Sequence, residues 1–208
     1  MPWVYVWTSA LKEAYVGALL PSTYQQVEYI QSSWTQRIDT WVYWTNTTMF
    51  QIKITALEEQ GDVIFWAHPW SDAQDFRLFN ASLKIYFDLP WGSWVWNRIY
   101  WSSWQANTLK EFECWNFYVK NVWAGSNLIS WSTVGSFTTS QTLKLNKWTS
   151  NIAKTRCYYI KIWNWGIMVR NMLPCYRKSD TVIWMYDIVN GVFYTNSWTW
   201  TFTKWSNV

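Results

Sequence analysis

The chain reads as an all-β protein of antiparallel strands, a sandwich or barrel, and three observations lead there. Short runs alternate apolar and polar residues with a period of two, turn-forming residues separate these runs, and no stretch carries a persuasive helical period. At 208 residues the length suits one domain of ordinary size with a short appendage.

Residues 3 to 17 hold two short strand-like runs, which are expected to pair as a hairpin. Leu20-Pro21-Ser22 marks a boundary, dividing an N-terminal appendage (1–19) from the main domain (20–208). Met49 to Ile54 alternates cleanly and predicts a half-buried strand, with Phe50, Ile52 and Ile54 inward and Gln51 and Lys53 outward. Asp75 to Leu78, Leu83 to Phe87 and Thr142 to Leu145 repeat the pattern. In Tyr158 to Ile162 the alternation sends Tyr158, Ile160 and Ile162 to one face and Tyr159, Lys161 and Trp163 to the other. Val27 to Ile30 and Val192 to Tyr194 lie near the two ends of the larger segment, and terminal strands of sandwiches often lie side by side.

A net charge of +4, with charged residues only 14% and scattered, argues against nucleic-acid binding, which leaves a clustered basic footprint. No apolar stretch approaches the ~18 residues of a membrane span, and no signal peptide is visible. Cys114, Cys157 and Cys175 are an odd count without metal-ligand spacing, which predicts buried reduced thiols. The single histidine, His68, has no nearby cysteine and reads as a loop residue.

Composition carries the strongest anomaly: 22 Trp against 7 Gly, where average usage puts Gly near ~7%. Trp34, Trp41, Trp198, Trp200 and Trp205 stand in polar turn-like contexts where φ > 0 is needed, a conformation free for glycine and strained for a bulky aromatic. These positions are expected in turns or at strand ends, with exposed indoles. The pattern fits a lineage in which UGA encodes glycine and has been read as tryptophan; otherwise the indoles are surface stacking groups or core. Trp163, closing a strand-like run, and Trp104, with no turn partner beside it, read as genuine tryptophans.

The stretch from Leu20 to Trp41, with Tyr24-Gln25-Gln26-Val27-Glu28-Tyr29-Ile30-Gln31-Ser32 and Arg37-Ile38-Asp39-Thr40, resembles the opening of a concanavalin A-like, LamG-type module. Met172-Leu173-Pro174-Cys175-Tyr176-Arg177-Lys178-Ser179-Asp180, Trp184-Met185-Tyr186-Asp187, Phe193-Tyr194-Thr195-Asn196 and Thr201-Phe202-Thr203-Lys204 resemble its close. The resemblance spans residues 20–208, although the middle matches only in pattern. It implies a two-sheet jelly roll and the company of phage tail and other structural proteins, or of bacterial surface proteins. The family carries glycine where Trp34, Trp41, Trp184, Trp198, Trp200 and Trp205 stand here. The N-terminal hairpin resembles short Tyr-Val-Gly units that precede such modules in phage proteins. The implied setting is the virion, with other virion proteins and cell-surface glycan as partners; the alternative is the bacterial cell surface.

Glucanases of the concanavalin A-like fold use paired carboxylates on one strand. Glu111-Phe112-Glu113 offers two on one face without the third acidic residue of that motif, and reads as a solvated strand edge. Glu58 and Glu59 are adjacent and would point to opposite faces. Serine chemistry would need His68, and no Gly-x-Ser-x-Gly context accompanies any serine. Asp72, Asp75 and Asp180 have the oxygen donors that suit calcium in lectin-like loops, but aspartate more commonly caps turns, and no other cofactor is implied. Lys178-Ser179-Asp180-Thr181 reads as such a turn. The expected function is therefore non-enzymatic, with possible carbohydrate binding: Tyr159, Lys161 and Trp163 share a face, Trp104 adds a loop aromatic, and aromatic platforms beside planar polar groups stack sugar rings.

Overall fold

The computed structural model of the chain describes residues 20–33, 36–58, 62–67, 76–81, 84–89, 97–102, 106–115, 118–130, 138–146, 154–195 and 201–208. These residues form 17 strands and no helix. In chain order the strands are β1 (Tyr24–Gln26), β2 (Ile30–Gln31), β3 (Ile38–Thr45), β4 (Thr48–Ala56), β5 (Asp62–Ala67), β6 (Phe76–Ala81), β7 (Lys84–Leu89), β8 (Asn97–Ser102) and β9 (Leu109–Trp115). They continue as β10 (Tyr118–Asn121), β11 (Ser126–Ser130), β12 (Thr138–Leu145), β13 (Thr155–Asn164), β14 (Ile167–Arg177), β15 (Ile183–Asp187), β16 (Val192–Tyr194) and β17 (Thr203–Lys204). An 11-stranded sheet runs β11-β10-β9-β4-β13-β14-β15-β16, with β1, β2 and β17 attached. A 6-stranded sheet runs β3-β12-β5-β6-β7-β8.

Alternation drives the packing of one sheet on the other. Phe50, Ile52 and Ile54 of β4 and Ile160 and Ile162 of β13 are fully buried, as are Trp44, Phe65, Leu143 and Leu145 of the smaller sheet. The Phe50 ring meets Trp44 edge-on at 5.4 Å and Phe65 at 4.8 Å, stitching the sheets together. Full burial of a side chain of this size contributes roughly 1.5–3 kcal/mol.

The two ends of the main segment meet in the larger sheet. β1 lies along β14, β2 pairs with both β13 and β17, and Val27 bridges to Asn207. Val192–Tyr194 pairs with β15 instead, and reaches the first strand through its side chains, the Tyr24 ring stacking on Phe193 at 4.9 Å.

Several expectations meet the structure directly. Cys114, Cys157 and Cys175 are buried, free and in strands. Residues 178–180 form the turn between β14 and β15. Asp180 accepts from Arg177 Nη2 (2.5 Å) and from the backbone N–H of Val182 (3.2 Å), so its carboxylate caps the turn. Trp205 follows β17, exposed and stacked on Tyr29 at 5.9 Å.

Three readings are corrected. Trp41 lies inside β3 rather than in a turn or at a strand end, yet it has φ 57° and is 69% exposed. The β3–β12 register is irregular there, and side chains absorb the irregularity: Asp39 Oδ1 accepts the Trp41 N–H (2.9 Å) and Thr40 Oγ1 donates to the Leu143 carbonyl (2.8 Å). Trp184 lies within β15, buried against Phe202 at 6.1 Å. A register shift between Cys157 and Tyr159 turns Tyr158 out of the core, where it meets Tyr29 at 5.2 Å and Lys53 at 5.6 Å. Finally, Glu111–Glu113 is no sheet edge: β9 is hydrogen-bonded on both sides, by β4 and β10. The 3–17 hairpin, Trp34, His68, Asp72, Asp75, Trp104, Trp198 and Trp200 lie outside the described residues.

Candidate functional site

The outer face of the larger sheet gathers the polar and aromatic residues that alternation excludes from the core. β4 contributes Gln51 and Lys53, β13 contributes Tyr159, Lys161 and Trp163, and β9 contributes Glu111 and Glu113. Strand pairing sets Gln51 opposite Glu113 and Lys53 opposite Glu111 on one side of β4, and Gln51 opposite Lys161 on the other.

Glu111 organises this face. Only 9% exposed, its carboxylate accepts from Gln51 Nε2 (2.7 Å), Tyr159 Oη (2.5 Å) and Trp123 Nε1 (2.9 Å). Glu113 accepts from Tyr118 Oη at 2.6 Å. Burial, and then the hydrogen bond to Glu111, hold the Tyr159 hydroxyl protonated far above the ordinary phenol range. Tyr118 is shifted the same way by burial and by Glu113. Both phenols therefore act as fixed donors, and the Lys161 ammonium rests over the Tyr159 ring at 4.7 Å. Glu111 is committed to holding neighbours in place; a nucleophile needs a free, approachable oxygen.

At one end of this face the β3–β4 and β13–β14 turns and the paired ends of β9 and β10 converge and leave a cleft of about 400 Å³. Trp163, Met49, Trp115 and Tyr118 line it, and the β13–β14 turn, Trp165-Gly166, borders it. Asn46 and Thr47, from the β3–β4 turn, supply polar groups. Trp115 and Tyr118 meet edge to face at 6.1 Å. Trp163 is held on its strand between Met49 of β4 and Met168 of β14. The volume falls in the range of small-ligand sites, roughly 300–1,000 Å³, and the lining is largely apolar as such sites are.

Of the residues singled out from sequence, Tyr159, Lys161 and Trp163 do share one face, and Trp163 enters the cleft; Trp104 lies outside the described residues. Sequence reasoning missed Met49, Trp115, Tyr118 and Trp165 as cleft residues, and Gln51 and Trp123 as partners of Glu111. The outward phase of Met49-x-Gln51-x-Lys53 was the available signal, but only long-range pairing shows which strands flank it.

Among the described residues no three His, Cys, Asp or Glu side chains gather into a metal-holding group, and no helix is long and apolar enough to cross a membrane. No protein-family model matches the chain, and a search of curated proteins gives no match.

Proposed function

We propose that the chain is a non-enzymatic, concanavalin A-like jelly-roll module of LamG type, from a phage or prophage structural protein, tail-associated in the virion. It binds cell-surface glycan through the outer face of its larger sheet. The observation that carries the binding reading is the cleft itself, where the Trp163 indole faces a concavity beside Tyr118 and the polar Asn46 and Thr47. An apolar ring face stacks on an indole while hydroxyls meet planar polar groups. The non-enzymatic reading is supported by Glu111, whose three donors and burial leave it poorly placed as a nucleophile.

The module reading includes the recoding of UGA as glycine. Trp41 supports it: a tryptophan at φ 57° in mid-strand, its indole exposed, occupies a conformation that glycine adopts freely.

The test is the full chain on an array of bacterial surface polysaccharides, followed by titration of any polysaccharide captured. Trp163→Ala is expected to weaken binding at least ~10-fold, the loss of an anchor worth roughly 1.4 kcal/mol or more, with the melting temperature retained. Capture of no polysaccharide, or equal binding by Trp163→Ala, overturns the reading. Hydrolysis of a captured polysaccharide that is abolished in Glu111→Gln or Glu113→Gln overturns the non-enzymatic assignment.

A further inference from the structure

The cleft has two indoles on one hairpin, Trp163 on the strand and Trp165 in the turn, and the backbone treats them differently. Asn164 pairs with Ile167, so Trp165-Gly166 is a two-residue hairpin turn, with φ 51° at Trp165 and 73° at Gly166. Positive φ at both central positions is the mark of a type I′ turn, whose favoured sequences are Asn-Gly and Gly-Gly. An aromatic at the first position brings its Cβ against the backbone carbonyl. The turn has little freedom to relax: the Trp165 N–H donates to the Thr47 carbonyl (3.2 Å), and Thr47 Oγ1 donates to Asn164 Oδ1 (2.7 Å). The Trp165 side chain is 78% exposed.

The contrast with indoles that the fold uses is sharp. Trp44 is fully buried against Phe50, and Trp66 is buried with its Nε1–H donating to the Asn146 carbonyl at 2.9 Å. Neither has positive φ. Trp163 is half-buried within β13, paired on both sides, and likewise has an ordinary backbone.

We infer that position 165 is glycine in the protein as its source makes it, and that Trp163 is the genuine indole of this hairpin, the one a ligand meets. The inference rests on the recoding reading above and extends it to a residue that sequence context did not single out. With Gly-Gly at the tip, the cleft loses its most exposed indole and keeps Trp163 as the one indole that this hairpin offers a ligand.

Two measurements test it. The codons of the gene are expected to be UGA at 41 and 165 and UGG at 44, 66 and 163. UGG at 165 with UGA at 41 overturns this inference and leaves the recoding reading standing; UGG at both overturns both. In the protein carrying the printed sequence, Trp165→Gly is expected to raise the melting temperature by roughly 2–10 °C as the turn strain is released. Trp66→Gly, made alongside it, is expected to lower it. A lower melting temperature for Trp165→Gly overturns the claim that this backbone is built for glycine.

Discussion

Asp187→Ala is expected to destabilise the fold by about 3–5 kcal/mol, the usual cost of removing one partner from a buried charged network. Asp187 ends β15 with 0% exposure. Its Oδ1 accepts the backbone N–H of Asn171 (2.9 Å) and of Val189 (3.1 Å), and its Oδ2 accepts Asn190 Nδ2 (2.6 Å). Oδ2 also lies 3.7 Å from Arg170 Nε. That same Nε–H donates to the Thr40 carbonyl on the smaller sheet at 2.8 Å. One carboxylate thus closes the β15–β16 turn, steadies β14 and orients the arginine that ties the two sheets together. Alanine removes the acceptor of two part-buried N–H groups and the counter-charge of a mostly buried guanidinium. At ~2–4 °C per kcal/mol for a chain of this size, the melting temperature is expected to fall by roughly 6–20 °C. Asp187→Asn, which keeps one acceptor oxygen but not the charge, is expected to fall between. The measurement is urea unfolding of the three proteins; a loss under ~1 kcal/mol for alanine would show that the network is not cooperative.

Legibility in the sequence followed the range of the interaction. Phe50, Ile52 and Ile54 were readable as a buried face because alternation is local, and the Asp180 turn because its partners lie within three residues. Tyr159, Lys161 and Trp163 were readable as companions for the same reason. Alternation failed at Tyr158, where a register shift opposite β4 inserts an extra residue that no local signal announces. It placed Glu111 on the outer face but could not show its partners Tyr159 and Gln51, which lie 48 and 60 residues away. Nothing in Glu-Phe-Glu distinguishes a solvated pair from a carboxylate fixed by a neighbouring strand. Trp41 shows the division most clearly. Its residue type against polar neighbours disclosed a conformational demand for glycine, and the structure has φ 57° there. The reason for that demand, an irregular register between β3 and β12, arises only when residue 41 meets a strand about a hundred residues away.

The pH dependence of stability follows from the three buried thiols, and the expected result is a steep alkaline collapse. Burial raises each thiol above its ordinary value: Cys175 is pushed up to about 12, and Cys114 and Cys157 are also raised by burial, which leads the causes for both. A group whose folded pKa is raised contributes stability that is fully present below its unfolded pKa, near ~8.5 for a thiol, and that is lost as pH climbs toward the folded value. Above pH ~8.5 the unfolded chain therefore releases protons that the folded chain retains. Each thiol adds a slope of about 1.4 kcal/mol per pH unit, so three together approach ~4 kcal/mol per unit. Tyr118 and Tyr159, raised by burial and by their hydrogen bonds to Glu113 and Glu111, add to the slope above pH ~10. Lys144 opposes it. Buried beside Trp66 and lowered by desolvation, it binds its proton less readily folded than unfolded, so its contribution rises with pH. One opposing proton against three leaves the balance firmly destabilising. A typical domain has only about 5–15 kcal/mol to lose, so unfolding is expected between pH ~10 and ~12. Urea midpoints measured from pH 7 to 11 give the slope, and a thiol reagent at pH 8 is expected to label none of the three cysteines until urea unfolds the chain. Cys175→Ala is expected to reduce the slope by one proton. An unchanged slope in that variant, or a midpoint flat up to pH 11, would show that the thiols ionise within the folded protein and that the core around them admits water.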